Sequence, residues 1–120
     1  MTKHYFSSRE SSDFQPIYFS FPFRELNYSW IGSRGVFSSK AFDKGSELML
    51  NCFLDEHAGL KGARVLDLGC GTGVVGVLLA LLNKDILVTC SDLSTAATIC
   101  TIKNAQNNQV QGKVQVTNGY

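Results

Sequence analysis

Hydrophobic positions along the chain change their period near residue 32. Between 17 and 31 the runs IYFSF and LNYSWI are aromatic and β-branched, and PFRE between them suits a turn. This predicts a β-hairpin whose first strand is an edge strand, or is shortened, because of Pro22. GSRG at 32–35 reads as a loop. A helix is predicted over 46–58, with Ser46 as N-cap, Leu48/Cys52, Met49/Phe53 and Leu50/Leu54 as i,i+4 pairs, and Gly59 as the stop. Three buried strands follow, ARVLDL (63–68), DILVTCS (85–91) and KVQVT (113–117). They alternate with a helix from Gly73 to Leu82, ended at Asn83, and a helix over 95–107 capped by Ser94 with Ala96, Ile99 and Ile102 as its apolar stripe. Strand, helix, strand, helix, strand is the βαβαβ unit of a parallel α/β sheet, with strand order third, second, first. Residues 1–16 are polar, Ser-rich and aperiodic, most simply a loosely held arm.

The apolar run VLDLGCGTGVVGVLLA (65–80) is interrupted by Gly69, Gly71 and Gly73 at a strand-to-helix junction. Glycines there let the backbone pass close to a ligand and aim helix N–H groups into the crevice at the strand ends. A lone glycine would speak only for tight helix–strand packing. Gly71, Gly73 and Gly76 spell the dinucleotide pattern GxGxxG, whereas Gly69, Gly71 and Gly73 spell GxGxG. Asp67 separates the two, because a carboxylate beside the turn repels a pyrophosphate and favours a ligand carrying a sulfonium and an ammonium group. Asp92 ends the second strand, where a carboxylate can accept both hydroxyls of a ribose. No Gly-Lys-Ser/Thr follows the turn, which excludes a Walker P-loop.

Composition narrows the picture a little. The 120 residues, 44% of them hydrophobic with a mean hydropathy near zero, supply one core. Eleven Lys and Arg against ten Asp and Glu announce no nucleic-acid partner through bulk charge. No stretch suits a membrane span and the N-terminus lacks the apolar core of a signal peptide. Cys52, Cys70, Cys90 and Cys100 form no CxxC pair, so they read as reduced thiols in a cytoplasmic protein, with no metal site.

Asp67-Leu68-Gly69-Cys70-Gly71-Thr72-Gly73 with Asp92 downstream resembles the cofactor site of class I S-adenosylmethionine-dependent methyltransferases. HYFS at 4–7, GVFSSKAFDKGSELML at 35–50 and KNAQNN at 103–108 are similar to blocks of the RsmC-like ribosomal RNA methyltransferases. The resemblance implies a Rossmann-like half-sheet preceded by a β-hairpin and helix, with residues 1–45 as an N-terminal extension and 46–120 as the first half of the cofactor domain. It implies S-adenosylmethionine as cofactor and transfer of a methyl group to the exocyclic N2 of guanine in ribosomal RNA. Asp67, Gly69, Cys70, Gly71 and Gly73 would surround the methionine part, and Asp92, with Leu93 beside it, the ribose. Phe37 and Ser38 would line the cofactor mouth, unless Phe37 is simply a core aromatic.

The family's catalytic Asn-Pro-Pro-aromatic motif does not occur, since Pro16 and Pro22 are the only prolines. The expectation is therefore a cofactor-binding N-terminal portion of a longer enzyme, from a broken reading frame, a truncated product or a proteolytic piece, inactive by itself. Strand 64–68 would then keep an uncovered apolar edge and invite self-association. Competing readings are a methyltransferase acting on protein or small molecules, a non-catalytic scaffold with a relic cofactor turn, and a nicotinamide-dependent oxidoreductase. Asp67 disfavours the last.

Overall fold

A computed structural model describes residues 13–36, 42–57 and 61–119. Strands β1 (Pro16–Phe23) and β2 (Leu26–Ser33) form an antiparallel hairpin with Phe23 opposite Leu26, Phe21 opposite Tyr28 and Phe19 opposite Trp30. The turn is Arg24-Glu25, both left-handed (φ 49° and 70°), so β1 runs on through Pro22 rather than ending before it. Pro22 is tolerated because it stands one residue beyond the closing pair, where the pairing pattern turns its missing N–H away from β2. The inner face carries the aromatics: the Phe21 ring lies 5.3 Å from that of Trp30, edge to face, and 4.9 Å from that of Phe42.

Helix α1 (Lys44–Glu56) starts two residues before the predicted boundary. Its N-cap is Asp43, not Ser46: the Asp43 carboxylate accepts from the Ser46 N–H and from its hydroxyl, each at 2.8 Å. The helix ends at Glu56, with the His57 N–H on the Phe53 carbonyl, and Gly59, the expected stop, lies outside the described residues. Leu50 and Leu54 are its buried stripe, while Leu48 and Met49 are exposed. Arg24 ties the hairpin turn to this helix, donating to Asn51 Oδ1 at 2.9 Å and to Asp55 at 2.7 Å.

Strands β3 (Ala63–Leu68), β4 (Ile86–Asp92) and β5 (Val114–Asn118) form a parallel sheet in the order β3-β4-β5, as predicted. Helices α2 (Val74–Leu82) and α3 (Thr95–Asn107) connect them. Ile86, Val88 and Cys90 of β4 and Val114 and Val116 of β5 join Val77, Leu78 and Ala80 of α2 and the hairpin aromatics in one continuous core. Lys113 donates its ammonium to the carbonyls of Ala80 and Asn83, satisfying the last turn of α2. Among the described residues no element packs on the opposite face of the sheet, where Leu66 and Leu68 are 62% and 60% exposed and Leu87 is exposed beside them. Among the described residues no helix is long and apolar enough to cross a membrane.

The buried side of α3 departs from the predicted stripe. Ser94 caps it as expected, accepting from Ala97 N–H at 3.2 Å. However, Ile99 and Ile102 are only half-buried, while Ala97, Cys100, Thr101 and Asn104 are fully enclosed. Two of these four are polar, so apolar periodicity could not point to this face.

Candidate functional site

A cavity of about 370 Å³ opens at the carboxyl ends of β3 and β4, bounded by the 69–73 turn, the starts of α2 and α3, and α1. The turn is tied to β4 by two amides, Gly69 N–H and Cys70 N–H, both donating to the Ser91 carbonyl (2.7 and 2.9 Å). Gly69, Gly71 and Gly73 all have left-handed φ (71°, 58° and 86°), a conformation that side-chain-bearing residues rarely hold. At Gly73 a Cβ would also fall 2.8 Å from the Thr101 methyl, so here glycine permits close packing on α3. Gly76 sits inside α2, where a Cβ would meet the Cys90 sulfur at 2.4 Å. Gly69, Gly71 and Gly73 are thus the turn glycines, and Gly76 is a helix–strand packing glycine.

Asp67 does more than stand beside the turn. Its Oδ2 accepts the Gly76 N–H at 3.0 Å, the third amide of α2, so a protein carboxylate occupies the helix start where a phosphate would otherwise bind. Asp92 takes two more amides, with Gly71 N–H on Oδ2 and Ser94 N–H on Oδ1, each at 2.9 Å. Of the amides in the turn and helix start, Gly71 N–H and Gly76 N–H are therefore taken by these two side chains, Gly69 and Cys70 by the Ser91 carbonyl, and Gly73 by the Cys70 carbonyl. Each Asp92 oxygen keeps a second lone pair, enough for two hydroxyl donors. The Asp67 carboxyl is pushed up to about 6, first by burial and further by the Asp92 charge, against the pull of the Gly76 amide. Two facing carboxylates make this a cavity for a neutral or cationic ligand.

Asp67, Gly69, Cys70, Gly71 and Asp92 all line the cavity. Gly73 turns to Thr101 instead, and Leu93 is 67% exposed next to Asp92 without lining it. Phe37 and Ser38 lie outside the described residues. Cys70 is buried, its sulfur 3.4 Å from Thr101 Oγ1, and burial pushes the Cys100 thiol up to about 12. Sequence reading missed the wall opposite the turn, made by Val36, Phe42, Asp43, Ser46 and Met49. The block 35–50 carries this wall, but only the packing of α1 brings it over the strand ends. Among the described residues there is no cluster of His, Cys, Asp and Glu that could hold a metal ion.

Known proteins resemble the chain over these same elements. The profile of the methyltransferase small domain family matches residues 27–120. YbxB of Bacillus subtilis, an uncharacterized protein, is 33% identical over 110 residues, covering 92% of this chain and 53% of its own length. Ribosomal RNA small subunit methyltransferase C of Erwinia tasmaniensis is 34% identical over 113 residues, 94% of this chain and 31% of that protein. Among solved structures, the 16S rRNA N2 G1207 methyltransferase (RsmC) of T. thermophilus, in complex with AdoMet and guanosine, superposes with a TM-score of 0.77. It is 26% identical, over 88% of this chain and 28% of that one. The chain thus spans between about a quarter and a half of these relatives. With the turn, the two carboxylates and the strand order in place, the chain belongs to the methyltransferase small domain family.

Proposed function

We propose that this chain is the cofactor-binding half of an S-adenosylmethionine-dependent methyltransferase that acts in the cytoplasm on an exocyclic amine of guanine in ribosomal RNA. The observation that carries the reading is the Asp67–Gly76 bond, which fills the helix start with negative charge and leaves a cation-favouring cavity. Similarity to rRNA methyltransferase C and to RsmC with AdoMet and guanosine supports the cofactor and the substrate class.

The residues present fit this cofactor. Asp92 keeps lone pairs for the ribose hydroxyls, and the apolar wall of Val36, Phe42 and Met49 suits a flat base or thioether chain. Asp67, with Gly69, Cys70 and Gly71, attracts the ammonium and sulfonium end. S-adenosylmethionine supplies an electrophilic methyl group. The chain's own contribution is to bind, orient and exclude a diphosphate. The proposed division into an extension (1–45) and the first half of the domain (46–120) falls within the first turn of α1, and this half supplies no catalytic group.

Calorimetry with S-adenosylmethionine and NAD side by side tests it. Binding of the former alone is expected, and binding of NAD alone overturns the reading. A second proposal follows from the edge of β3, unpaired among the described residues, and from the exposed Leu66, Leu68 and Leu87 on the adjoining sheet face: copies of the chain associate through this edge and face.

A further inference from the structure

The enclosed polar side of α3 has a use that the cavity lining does not reveal. In the hairpin, Tyr18 and Ile31 face each other as a pair whose peptide groups point away from the partner strand, so Ile31 must find other partners on the outer edge of β2. They come from a side chain 73 residues away: Asn104 Oδ1 accepts the Ile31 N–H at 2.9 Å, and Asn104 Nδ2 donates to the Ile31 carbonyl at 2.8 Å. One carboxamide thus stands in for a neighbouring strand. The second hydrogen of the same Nδ2 reaches the Thr72 carbonyl at 2.9 Å, inside the glycine turn. Trp30, one residue before Ile31, adds its Nε1–H to the Thr72 carbonyl and hydroxyl, both at 3.2 Å. Thr101, one turn before Asn104 on α3, donates to the Gly71 carbonyl at 3.0 Å.

Two consecutive carbonyls of the turn are therefore held away from the cavity, toward α3 and the hairpin. A turn with three left-handed glycines has many backbone arrangements, and fixing these carbonyls selects the one in which the Gly71 N–H meets Asp92. Asn104 is 0% exposed and suits this post by its chemistry. Asp would lose both donations, Ser is too short for three partners, and an apolar residue would strand the Ile31 N–H and carbonyl and leave the Thr72 carbonyl only its Trp30 donor.

We infer that Asn104 is a positioning residue for the cofactor turn, and that through it and Trp30 the hairpin and S-adenosylmethionine binding are coupled. This rests on the cofactor assignment proposed above. By reciprocity, a ligand that selects the ordered turn also strengthens the hairpin contact at Ile31, although Ile31 does not line the cavity.

The 120-residue chain is compared with Asn104→Ser, Trp30→Phe and, as a packing control in β5, Val114→Ala. Trp30→Phe keeps an aromatic ring against Phe21 and removes the donation to Thr72 together with some buried ring volume, a packing loss that the Val114→Ala control stands for, so it serves if Asn104→Ser does not fold. Calorimetric affinity for S-adenosylmethionine is expected to fall about tenfold in the first two variants and to stay within twofold in the control. Amide exchange is expected to slow at Ile31 when the ligand is added to the unsubstituted chain. It should quicken about tenfold at Gly71 and Gly73 in Trp30→Phe without ligand. Affinity unchanged in the network variants, or lowered equally in the control, overturns the inference. An unsubstituted chain that binds no S-adenosylmethionine overturns the functional reading instead, and ligand-free exchange at Gly71 and Gly73, unchanged in Trp30→Phe, then sinks the positioning role.

Discussion

The carboxylate of Asp67, on β3, accepts the backbone N–H of Gly76, on α2, at 3.0 Å. This bond joins the strand before the glycine turn to the helix after it, and keeps a charge half-buried. The Asp67 carboxyl is ordinarily near 3.8 and rises here to about 6, chiefly through burial. Between these values the folded chain binds more protons than the unfolded one, so stability falls as pH rises through this window and is flat above it. The decline amounts to about 1–3 kcal/mol, discounted for partial exposure. Asp67→Asn, which keeps an oxygen for Gly76, should flatten the profile and raise the melting temperature at pH 7. Thermal melts between pH 4 and 8 check both.

The same titration predicts the binding profile. Protonation below about pH 6 removes the charge that attracts a cationic ligand, so affinity for S-adenosylmethionine should weaken as pH drops through that value. Asp67→Asn should bind roughly tenfold more weakly at pH 7. Its affinity should not vary over the same range. Calorimetry at pH 5.5 and 7.5 distinguishes the two proteins.

Gly76→Ala sets two effects against each other. Alanine gains about 1 kcal/mol of helix propensity, but its Cβ would lie 2.4 Å from the Cys90 sulfur and 3.0 Å from Asp67 Oδ2. Overpacking a close helix–strand contact costs about 1–3 kcal/mol, and loss of the cap adds to it. Net destabilisation of about 2 kcal/mol is expected in urea denaturation; a neutral or stabilised variant would refute the packing role.

Glu25 offers a stabilising change. It holds φ 70° at the second position of a two-residue turn, where glycine pays no steric penalty. Glu25→Gly should stabilise the fold by about 1 kcal/mol. Arg24, the other left-handed turn residue, is better left in place because it bridges to Asn51 and Asp55.

The exposed leucines of the sheet face should make the chain associate. Sedimentation at increasing concentration is expected to reveal species larger than a monomer, and Leu66→Lys with Leu68→Lys should return the monomer. A monomer at every concentration would remove the proposed interface.

Much of this architecture could be read from the residues. The runs ARVLDL and DILVTCS are short and apolar enough to read as strands, but only DILVTCS is a buried one: β3 has no buried residue and leaves Leu66 and Leu68 exposed, while Ser94 is an N-cap that needs no tertiary help. Asp67 and Asp92 stood out because each breaks an apolar pattern at a strand end. What escaped reading depends on contacts distant in sequence. Ser46 looked like the cap of α1, and Asp43 takes the role because its carboxylate reaches both groups of Ser46. Asn104 lies in a polar stretch, and no periodicity announces a carboxamide that pairs with a strand edge 73 positions away. The cavity wall from Val36 to Met49 likewise exists only once α1 has docked.

Helix α2 has no ionisable residue of its own, yet neither of its poles is electrically bare: Asp67 of β3 stands at the positive end and Lys113, just ahead of β5, at the negative end. Both counter-charges are lent by the layer beneath it, from segments 46 positions apart. An excised peptide of this helix would lose both partners and its apolar contacts together, and should neither coil nor stay dissolved. The segment can be transplanted into another scaffold only along with the two strands that polarise it.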